Sequence, residues 1–366
     1  MGRKFTVRRA AIAPHLRAPT SFARVQRWQL FALLPVMLAS VYMVGQQYFL
    51  AIYAIRKTVP GWRTDLITSG VVEPDQFTLF FIWTGLVHIV PVVVLAYLTG
   101  FVWEHLFARL RGRVREGGLL PIALVFTALL PPAVPLWHVV LGMSCAIVLG
   151  KEVFGGHGKT FLPPALVGIA ILQVSYPATL TDHPLWVMTS GYSGTAAFSQ
   201  IVVHGLGVVS WPDVSVVETL FGQVQGSLGT SPVLACLLGL AVLLAGRVAN
   251  WRVVAGVVLG VAGVALLSDF DLNVHWHFML GSLTFVTVFI ATDPASTPAT
   301  NAGRWLHGIL AGAMVVLIRV YHPNHPDGVV PAFLFASVMA PMIDAAIIRL
   351  QVRWARVQAK RRRDAL

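Results

Sequence analysis

Long runs of apolar residues, separated by short polar segments, dominate the chain. A run of roughly 20 apolar residues is long enough for a helix to cross the hydrocarbon core of a bilayer. Several runs are shorter, and the third and fourth share one apolar stretch that Pro131, Pro132 and Pro135 interrupt. Proline is disfavoured inside a helix because it lacks the backbone donor, so the pattern predicts a tight reversal or a broken helix there. The candidate spans lie near 30–55, 78–103, 119–132, 136–150, 163–178, 231–246, 253–268, 276–291, 305–320 and 329–348.

This pattern predicts an all-α polytopic membrane protein with about ten transmembrane helices. The composition agrees, because 56% of the residues are hydrophobic, only 11% are charged and the mean hydropathy is +0.73. Soluble domains carry about 25% charged residues. The first 27 residues are basic and contain no apolar core of the kind that a secretory signal needs.

The distribution of charge tests this number of spans. If the N-terminus is cytoplasmic and ten spans alternate, the inner segments hold 23 of the 27 Lys and Arg residues, and the outer segments receive nine of the 15 acids. This asymmetry follows the positive-inside rule and predicts that both termini are cytoplasmic. The net charge of +12 then reflects topology and anionic lipid, not nucleic acid. The outer side keeps four basic residues, Arg56, Lys57, Arg63 and Arg319.

The same topology divides the chain into five parts. They are a basic tail (1–27), a first membrane half (28–178), an extracytoplasmic loop (179–230), a second membrane half (231–348) and a basic C-terminal tail (349–366). The pattern Trp-(His/Arg)-x-x-x-Gly begins at Trp137, Trp251 and Trp276. The three copies indicate either an internal duplication, as in many transporters, or tryptophans that anchor helices at the interface beside glycines that permit close packing.

Four acidic residues lie inside or at the ends of apolar runs: Glu104, Glu152, Asp293 and Asp344. A charge at the centre of a transmembrane helix costs roughly 2.5–3.5 kcal/mol on insertion scales, and such residues usually mark ion or proton pathways. The alternative for Glu104 and Glu152 is an interfacial carboxylate paired with Arg109 or Lys151. The alternative for Asp344 is a buried partner of an arginine or of a backbone donor.

Two inner loops could also carry chemistry, GKEVFGGHGKTFLPP at 150–164 and ATDPASTPATNAG at 291–303. Such loops can offer backbone donors to an anion, but neither has the spacing of a phosphate-binding loop or a dinucleotide fingerprint. Physics alone would leave them as re-entrant turns. Cys145 and Cys236 form no CxxC pair, which argues against an iron–sulfur cluster held by this chain alone. The 12 histidines show no metal-type cluster.

Several segments, taken in order, resemble the NqrB/RnfD family of redox-driven ion pumps. They include KEVFGG at 151–156, SGYSGTAAFSQ at 190–200, ATDPASTPATNAG at 291–303 and PMIDAAII at 341–348. The resemblance runs from about residue 27 to the C-terminus, and it is closer to NqrB of the sodium-pumping NADH:quinone oxidoreductase than to RnfD of the Rnf complex. It implies a ten-helix bundle of two related halves, a urea-transporter-like inverted repeat, in the bacterial inner membrane.

The resemblance also implies a function. Family members work with sister membrane and redox subunits, pass electrons through flavin and quinone, and couple this transfer to Na⁺ or H⁺ movement. Their acids implicated in ion uptake match Glu104, Asp293 and Asp344, and a Gly-Gly pair in their quinone region corresponds to Gly100-Phe101. The chain has no NADH fingerprint, so we expect any NADH oxidation to take place on another subunit.

The covalent flavin motif departs from the family pattern. Family members attach FMN by a phosphoester to the threonine of a motif that resembles DGxSGATxL. Aligned on Ser193 and Gly194, this chain has Ser190 for the aspartate and Ala196 for the acceptor threonine. Thr195 stands one position early and is the candidate for covalent FMN.

The second flavin motif is altered as well. Family members place riboflavin near a loop GxNFLNPAL, which reads GKTFLPPAL here, with Thr160 and Pro163 in place of the two asparagines and Lys159 beside them. Two amide side chains that could bond the flavin ring are therefore absent, and a divergent paralogue is indicated.

Three hypotheses follow from the sequence. The first is a subunit of an Nqr/Rnf-like complex that transfers electrons and translocates ions, and which is not catalytic alone. The second is a flavin-free paralogue that serves as ion path, quinone site or docking platform for a separate redox partner. The third is a solute channel, which only the kinship of the fold to urea transporters favours.

Overall fold

The computed structural model describes residues 22–53, 61–69, 76–112, 117–156, 158–177, 216–222, 226–267, 273–321 and 327–364. Every regular element in these ranges is helical. The helices are α1 (Phe22–Tyr53), α2 (Trp62–Thr68), α3 (Phe77–Leu110), α4 (Leu119–Ala128), α5 (Leu136–Ile147, continued by a π-helical turn Val148–Glu152), α6 (Pro164–Ser175), α7 (Val216–Phe221), α8 (Val233–Ala245), α9 (Trp251–Leu267), α10 (Val274–Met279), α11 (Leu283–Phe289), α12 (Asn301–Tyr321) and α13 (Val329–Asp364).

Long apolar helices confirm the prediction of a polytopic membrane protein. Four helices are long and apolar enough to cross a bilayer, within α1, α3, α12 and α13. Shorter apolar helices, α4, α6, α8 and α9, lie between them in the chain. Each of the ten predicted spans contains helix. Helix α13 has 36 residues, about 54 Å at 1.5 Å per residue, so it extends well beyond a hydrocarbon core of about 30 Å.

Two breaks in the helices fall within apolar stretches of the sequence. Helix α4 ends at Ala128 and α5 begins at Leu136, with the proline-rich stretch between them, as the sequence predicts. The eighth predicted span, 276–291, is not one helix, because it breaks between Met279 and Leu283 into α10 and α11. Gly281 lies at this break with φ +78°, a conformation that other residues rarely adopt.

A seam of glycines joins α9 to α12. A Cβ added at Gly260, Gly308 or Gly312 would overlap a backbone carbonyl of the opposite helix, that of Ile309, Val253 or Val257. Small residues of this kind let helix backbones approach closely in membranes. The two helices therefore pack backbone against backbone along most of α9.

The order of helix contacts is repeated in the two parts of the chain. Helix α3 packs on α5, and α5 packs on α6; α9 packs on α12, and α12 packs on α13. The short helices α4 and α11 also correspond, since α4 contacts α1 and α3, and α11 contacts α8 and α9. The division into two related halves stays a prediction.

The three Trp-(His/Arg)-x-x-x-Gly copies all lie at helix starts. Trp137 and Trp251 are more than half exposed, as expected of residues that anchor helices at the interface. Gly142 and Gly256 are close-packing positions, whereas Gly281 forms the break. The copies at Trp137 and Trp276 occupy α5 and α10, and their origin in an internal duplication stays a prediction.

Candidate functional site

An open cavity lies between α1, α4, α6 and the segment that follows α11. Its volume is about 60 Å³. Its walls on α1 and α4 are mainly apolar, while Lys151, Thr160 and Asp293 line it from the inner loops. Two acids that the sequence singles out are therefore associated with this cavity. Asp293 lines it, and Glu104 is paired with Lys151, which also lines it.

Glu104 and Lys151 form a buried ion pair. The Nζ of Lys151 lies 2.5 Å from Oε1 of Glu104, and the two side chains are 2% and 3% exposed. Glu104 is on α3, whereas Lys151 is on the π-helical turn after α5, so the pair joins two elements. The second carboxylate oxygen, Oε2, accepts no hydrogen bond from any described residue. The predicted pairing of Glu104 with Lys151 is therefore present, and a role of Glu104 in an ion path stays a prediction.

The neighbouring acid, Glu152, has a different partner from those that the sequence suggests. Arg111 Nη1 lies 3.1 Å from Glu152 Oε2, and Arg111 Nη2 donates a 2.7 Å hydrogen bond to the Glu152 carbonyl. The predicted partners, Arg109 and Lys151, were wrong for this residue. The pair fixes the backbone of the π-helical turn to the end of α3.

Asp293 lies just after α11, outside the spanning helices. Its Oδ1 accepts a 3.2 Å hydrogen bond from the Ala295 N–H. Burial raises the pKa of the Asp293 carboxyl, and that hydrogen bond opposes the shift in part. A carboxylate whose negative charge is poorly solvated attracts a proton or a metal cation more strongly than one in water.

Asp344, on α13, binds the far end of the loop that begins at Asp293. Its Oδ2 accepts the Ala299 N–H at 2.6 Å, and its Oδ1 accepts the N–H of Thr300 at 3.1 Å and the Thr300 hydroxyl at 2.6 Å. Asp344 is only half-buried. The alternative that it partners backbone donors is therefore confirmed, and its apolar neighbours in sequence do not enclose it.

Two arginines that the charge pattern places on the outer side are structural. Arg63 is buried and donates to the carbonyls of Pro132 and Val134 in the break between α4 and α5. Arg319 is fully buried at the break between α10 and α11 and donates to carbonyls there. In the sequence, the one feature that sets Arg63 and Arg319 apart is that they are two of the four basic residues predicted on the outer side.

Arg319 is also paired with a carboxylate. Its Nη2 lies 3.2 Å from Oδ1 of Asp327, which in turn accepts the Ser282 N–H and the Ser282 hydroxyl. Arg319 from α12 and Asp327, which precedes α13, thus hold the break between α10 and α11 in place.

Comparison with known proteins places this chain. The sequence profile described as the NQR2, RnfD, RnfE family matches residues 9–353. The chain belongs to this family. It is similar to the B subunit of the Na(+)-translocating NADH-quinone reductase of Pseudomonas aeruginosa (strain LESB58), with 37% identity over 87% of this chain and 82% of the relative. The protein of the same name from Azotobacter vinelandii is 41% identical over 80% and 75%, and that from Chromohalobacter salexigens 36% identical over 96% and 86%.

The sequence resemblance predicts a quinone region at Gly100-Phe101, and the two residues have different surroundings in the structure. A Cβ at Gly100 would lie 2.5 Å from Leu119 Cδ1 and 2.9 Å from Met143 Cε, so this position is filled by packing. Phe101 is 37% exposed and stacks on His105. The quinone assignment stays a prediction.

The riboflavin motif of the family meets the cavity only in part. Thr160 is buried and lines the cavity together with Pro163 and Pro164, whereas the Lys159 side chain is exposed. Two prolines bring neither an N–H nor a side-chain amide to this wall, and the ammonium of Lys151 is engaged by Glu104. These residues do not fit a riboflavin held as the family pattern implies.

The candidate for covalent FMN, Thr195, lies outside the described residues, together with Ser193 and Gly194. Most of the predicted extracytoplasmic loop 179–230 does so too. Among the residues that the structure does describe, no three His, Cys, Asp or Glu side chains come together as a metal site.

Proposed function

We propose that this chain is the NqrB-type membrane subunit of a multi-subunit redox complex, in which it forms part of the path of a transported cation. The observation that carries the proposal is the cavity bounded by Asp293 and by Lys151 with its partner Glu104. Ionisable groups inside a helical membrane bundle are costly and usually serve ion movement. The relatives, named for Na⁺ translocation and NADH–quinone reduction, support the same function.

The loop 291–300 connects the proposed path to Asp344. Asp293 begins this loop, and Asp344 binds its last residues, Ala299 and Thr300. A cation or proton that changes the charge of either acid therefore acts on the same loop. We assign Glu104, Asp293 and Asp344 to one path on these grounds.

We extend the proposal to the topology, the partner subunits and the redox cofactors of this chain. The two membrane halves, 28–178 and 231–348, lie in a bacterial inner membrane with both termini in the cytoplasm, in keeping with the distribution of charge. Sister membrane and redox subunits deliver and remove electrons. FMN on Thr195 is the candidate cofactor of this chain, and the exposed aromatic face at Phe101 is the candidate contact for quinone. Riboflavin in the cavity is not part of the proposal.

A flavin-free paralogue is the second candidate function. The wall made by Thr160, Pro163 and Pro164 favours it, because this wall lacks the amides of the family motif. Such a protein would supply the ion path or a docking platform, and electrons would pass through other subunits.

The experiment uses the complex purified with its sister subunits and reconstituted in liposomes. Electrons are supplied as NADH or reduced ferredoxin with a soluble quinone as acceptor, and uptake of ²²Na⁺ and of protons is followed. Asp293→Asn should abolish uptake, while Asp364→Asn, at the exposed end of α13, should leave it unchanged. Uptake that survives Asp293→Asn would refute the ion path.

The same preparation separates the two candidates. Flavin fluorescence that stays with this chain after denaturation and electrophoresis indicates covalent FMN and the first function. Complete absence of flavin from this chain, with uptake intact, indicates the paralogue. Electron-independent solute uptake by the chain alone would instead support a channel.

A further inference from the structure

The Glu104–Lys151 pair is an unusual arrangement for an ion path. An acid that receives a transported cation needs a free carboxylate, yet Glu104 Oε1 is 2.5 Å from the Lys151 ammonium. Both side chains are almost completely buried, so water does not weaken the pair. A cation that approaches Glu104 therefore meets a positive charge already in place.

Lys151 shares the cavity with a second carboxylate, that of Asp293. Both residues line the cavity wall. A lysine ammonium is a compact charge on a flexible four-carbon stem, and it can exchange partners without movement of its backbone. The backbone beside Lys151 is held, because Arg111 binds both the carboxylate and the carbonyl of Glu152. Any exchange at this turn is therefore confined to the lysine side chain.

The charges of the cluster add a further constraint. Glu104, Lys151 and Asp293 together carry a net charge of minus one when all three are ionised. Such a cluster is neutralised by one monovalent cation. The free Oε2 of Glu104, which accepts no hydrogen bond from the described residues, offers such a cation an oxygen ligand.

We propose that Lys151 is a tethered cation that competes with the transported monovalent cation at Glu104 and moves toward Asp293 when that cation binds. Without a bound cation, the ammonium neutralises Glu104. With one bound, Glu104 holds the cation and Asp293 holds the ammonium. The lysine thus keeps the cluster from trapping the cation permanently. This inference rests on the proposed function of the same cavity.

The charge count predicts a specific order of variants. In the reconstituted complex, the measured quantity is the Na⁺ concentration that half-saturates quinone reduction, with KCl replacing NaCl at constant ionic strength. Lys151→Gln makes the cluster more negative and should lower this concentration at least fivefold. Glu104→Gln makes the cluster neutral and should raise it at least fivefold. The double variant restores the net charge of minus one and, because no ammonium remains, leaves the Asp293 carboxylate available to the cation. Its value should therefore return to within threefold of wild type.

Arg252→Gln is the control, because Arg252 packs on Trp251 and its replacement removes one positive charge at another inner segment. It should leave the half-saturating concentration unchanged. If a single variant does not assemble, the double variant, whose two neutral amides replace the buried pair, still decides the matter by its comparison with wild type.

Three results would overturn the inference. The first is an unchanged half-saturating concentration in an active Lys151→Gln complex, which would make the lysine a purely structural partner. The second is a double variant that is as weak as Glu104→Gln alone. Both leave the proposed function standing. The third is turnover of the wild-type complex that does not depend on any cation, which would overturn the proposed function together with the inference.

Discussion

Asp344 on α13 accepts two hydrogen bonds from Thr300, one from its N–H and one from its hydroxyl. Thr300 precedes the first residue of α12, and its own hydroxyl oxygen accepts the Gly303 N–H at 3.1 Å. The carboxylate therefore completes the N-terminal cap of a helix from a different helix. One acid serves both the position of the 291–300 loop and, in our proposal, the ion path.

The two roles of Asp344 can be separated by variants. Thr300→Val removes the hydroxyl but keeps the carboxylate charge, so it should destabilise the protein by about 1–3 kcal/mol and retain cation uptake. Asp344→Asn removes the charge as well and should lose both stability and uptake. Thermal unfolding in detergent and ²²Na⁺ uptake in liposomes measure the two effects. Equal uptake by both variants would show that Asp344 acts only as a cap.

The pH dependence of cation binding reports on Asp293. Because burial raises the pKa of this carboxyl, a proton competes with the cation at a higher pH than it would at an ordinary aspartate. Below that pKa, the half-saturating Na⁺ concentration of the wild-type complex should rise about tenfold for each pH unit, as one-proton competition requires. Any residual Na⁺-dependent quinone reduction by Asp293→Asn should have no such slope. A wild-type slope confined to pH values below about 4, the range of an ordinary aspartate, would contradict the raised pKa.

Arg319 should be essential to the broken eighth span. Replacing it with methionine leaves Asp327 and the carbonyls of His277 and Leu280 without their donor. Loss of one member of a buried pair costs about 3–5 kcal/mol, so Arg319→Met should sharply lower thermal stability and the yield of assembled complex. Arg319→Lys keeps the charge but cannot reach all acceptors, and its stability should fall between those of wild type and Arg319→Met. A stable Arg319→Met protein would show that the break is held by other contacts.

The glycine seam offers a comparison between two glycines in neighbouring helices. Gly308→Ala places a methyl group against the Val253 carbonyl and should destabilise the protein by about 1–3 kcal/mol. Gly263→Ala, in α9, meets nothing within 4 Å and should be neutral or stabilise the helix by up to about 1 kcal/mol. Both are measured by thermal unfolding. A similar effect of both substitutions would argue against a close-packed seam.

The altered riboflavin motif can be tested by restoring it. Thr160→Asn with Pro163→Asn returns both amides to the cavity wall, and asparagine is also well suited to the N-terminal cap of α6, the position that Pro163 holds. We expect noncovalent flavin per protein, measured by extraction and absorbance, to rise in the double variant. Wild type is the reference. No increase would mean that the shape of the cavity, and not its lost amides, excludes the flavin.

Much of the fold follows from local features of the sequence. The apolar runs predict the ten segments that contain helix, and the break before α5 follows from prolines that disfavour helix wherever they lie. The break at Gly281 could not be predicted in this way. It depends on Arg319 and Asp327, which approach it from a distant part of the chain, and glycine alone is common inside transmembrane helices.

The candidate site shows the same division. The sequence shows directly that Glu104 and Lys151 are charged groups near apolar runs. It also offers their pairing as one of two alternatives. The partner of Glu152 is 41 residues away in sequence, and no periodicity relates it to Arg111. The cavity arises where α1, α4 and α6 fail to meet the end of α11, which only their packing determines.

The seam between α9 and α12 also limits how the protein can move. Each of its glycines fits against an opposing backbone carbonyl, so neither helix can slide or roll past the other without a collision of main chains. The two helices are therefore expected to move as one rigid unit. In any cycle that opens a buried cation first to one side of the membrane and then to the other, α9 and α12 would therefore move together, and changes of packing would fall to other elements, such as α1, α4, α6 and α11 around the cavity.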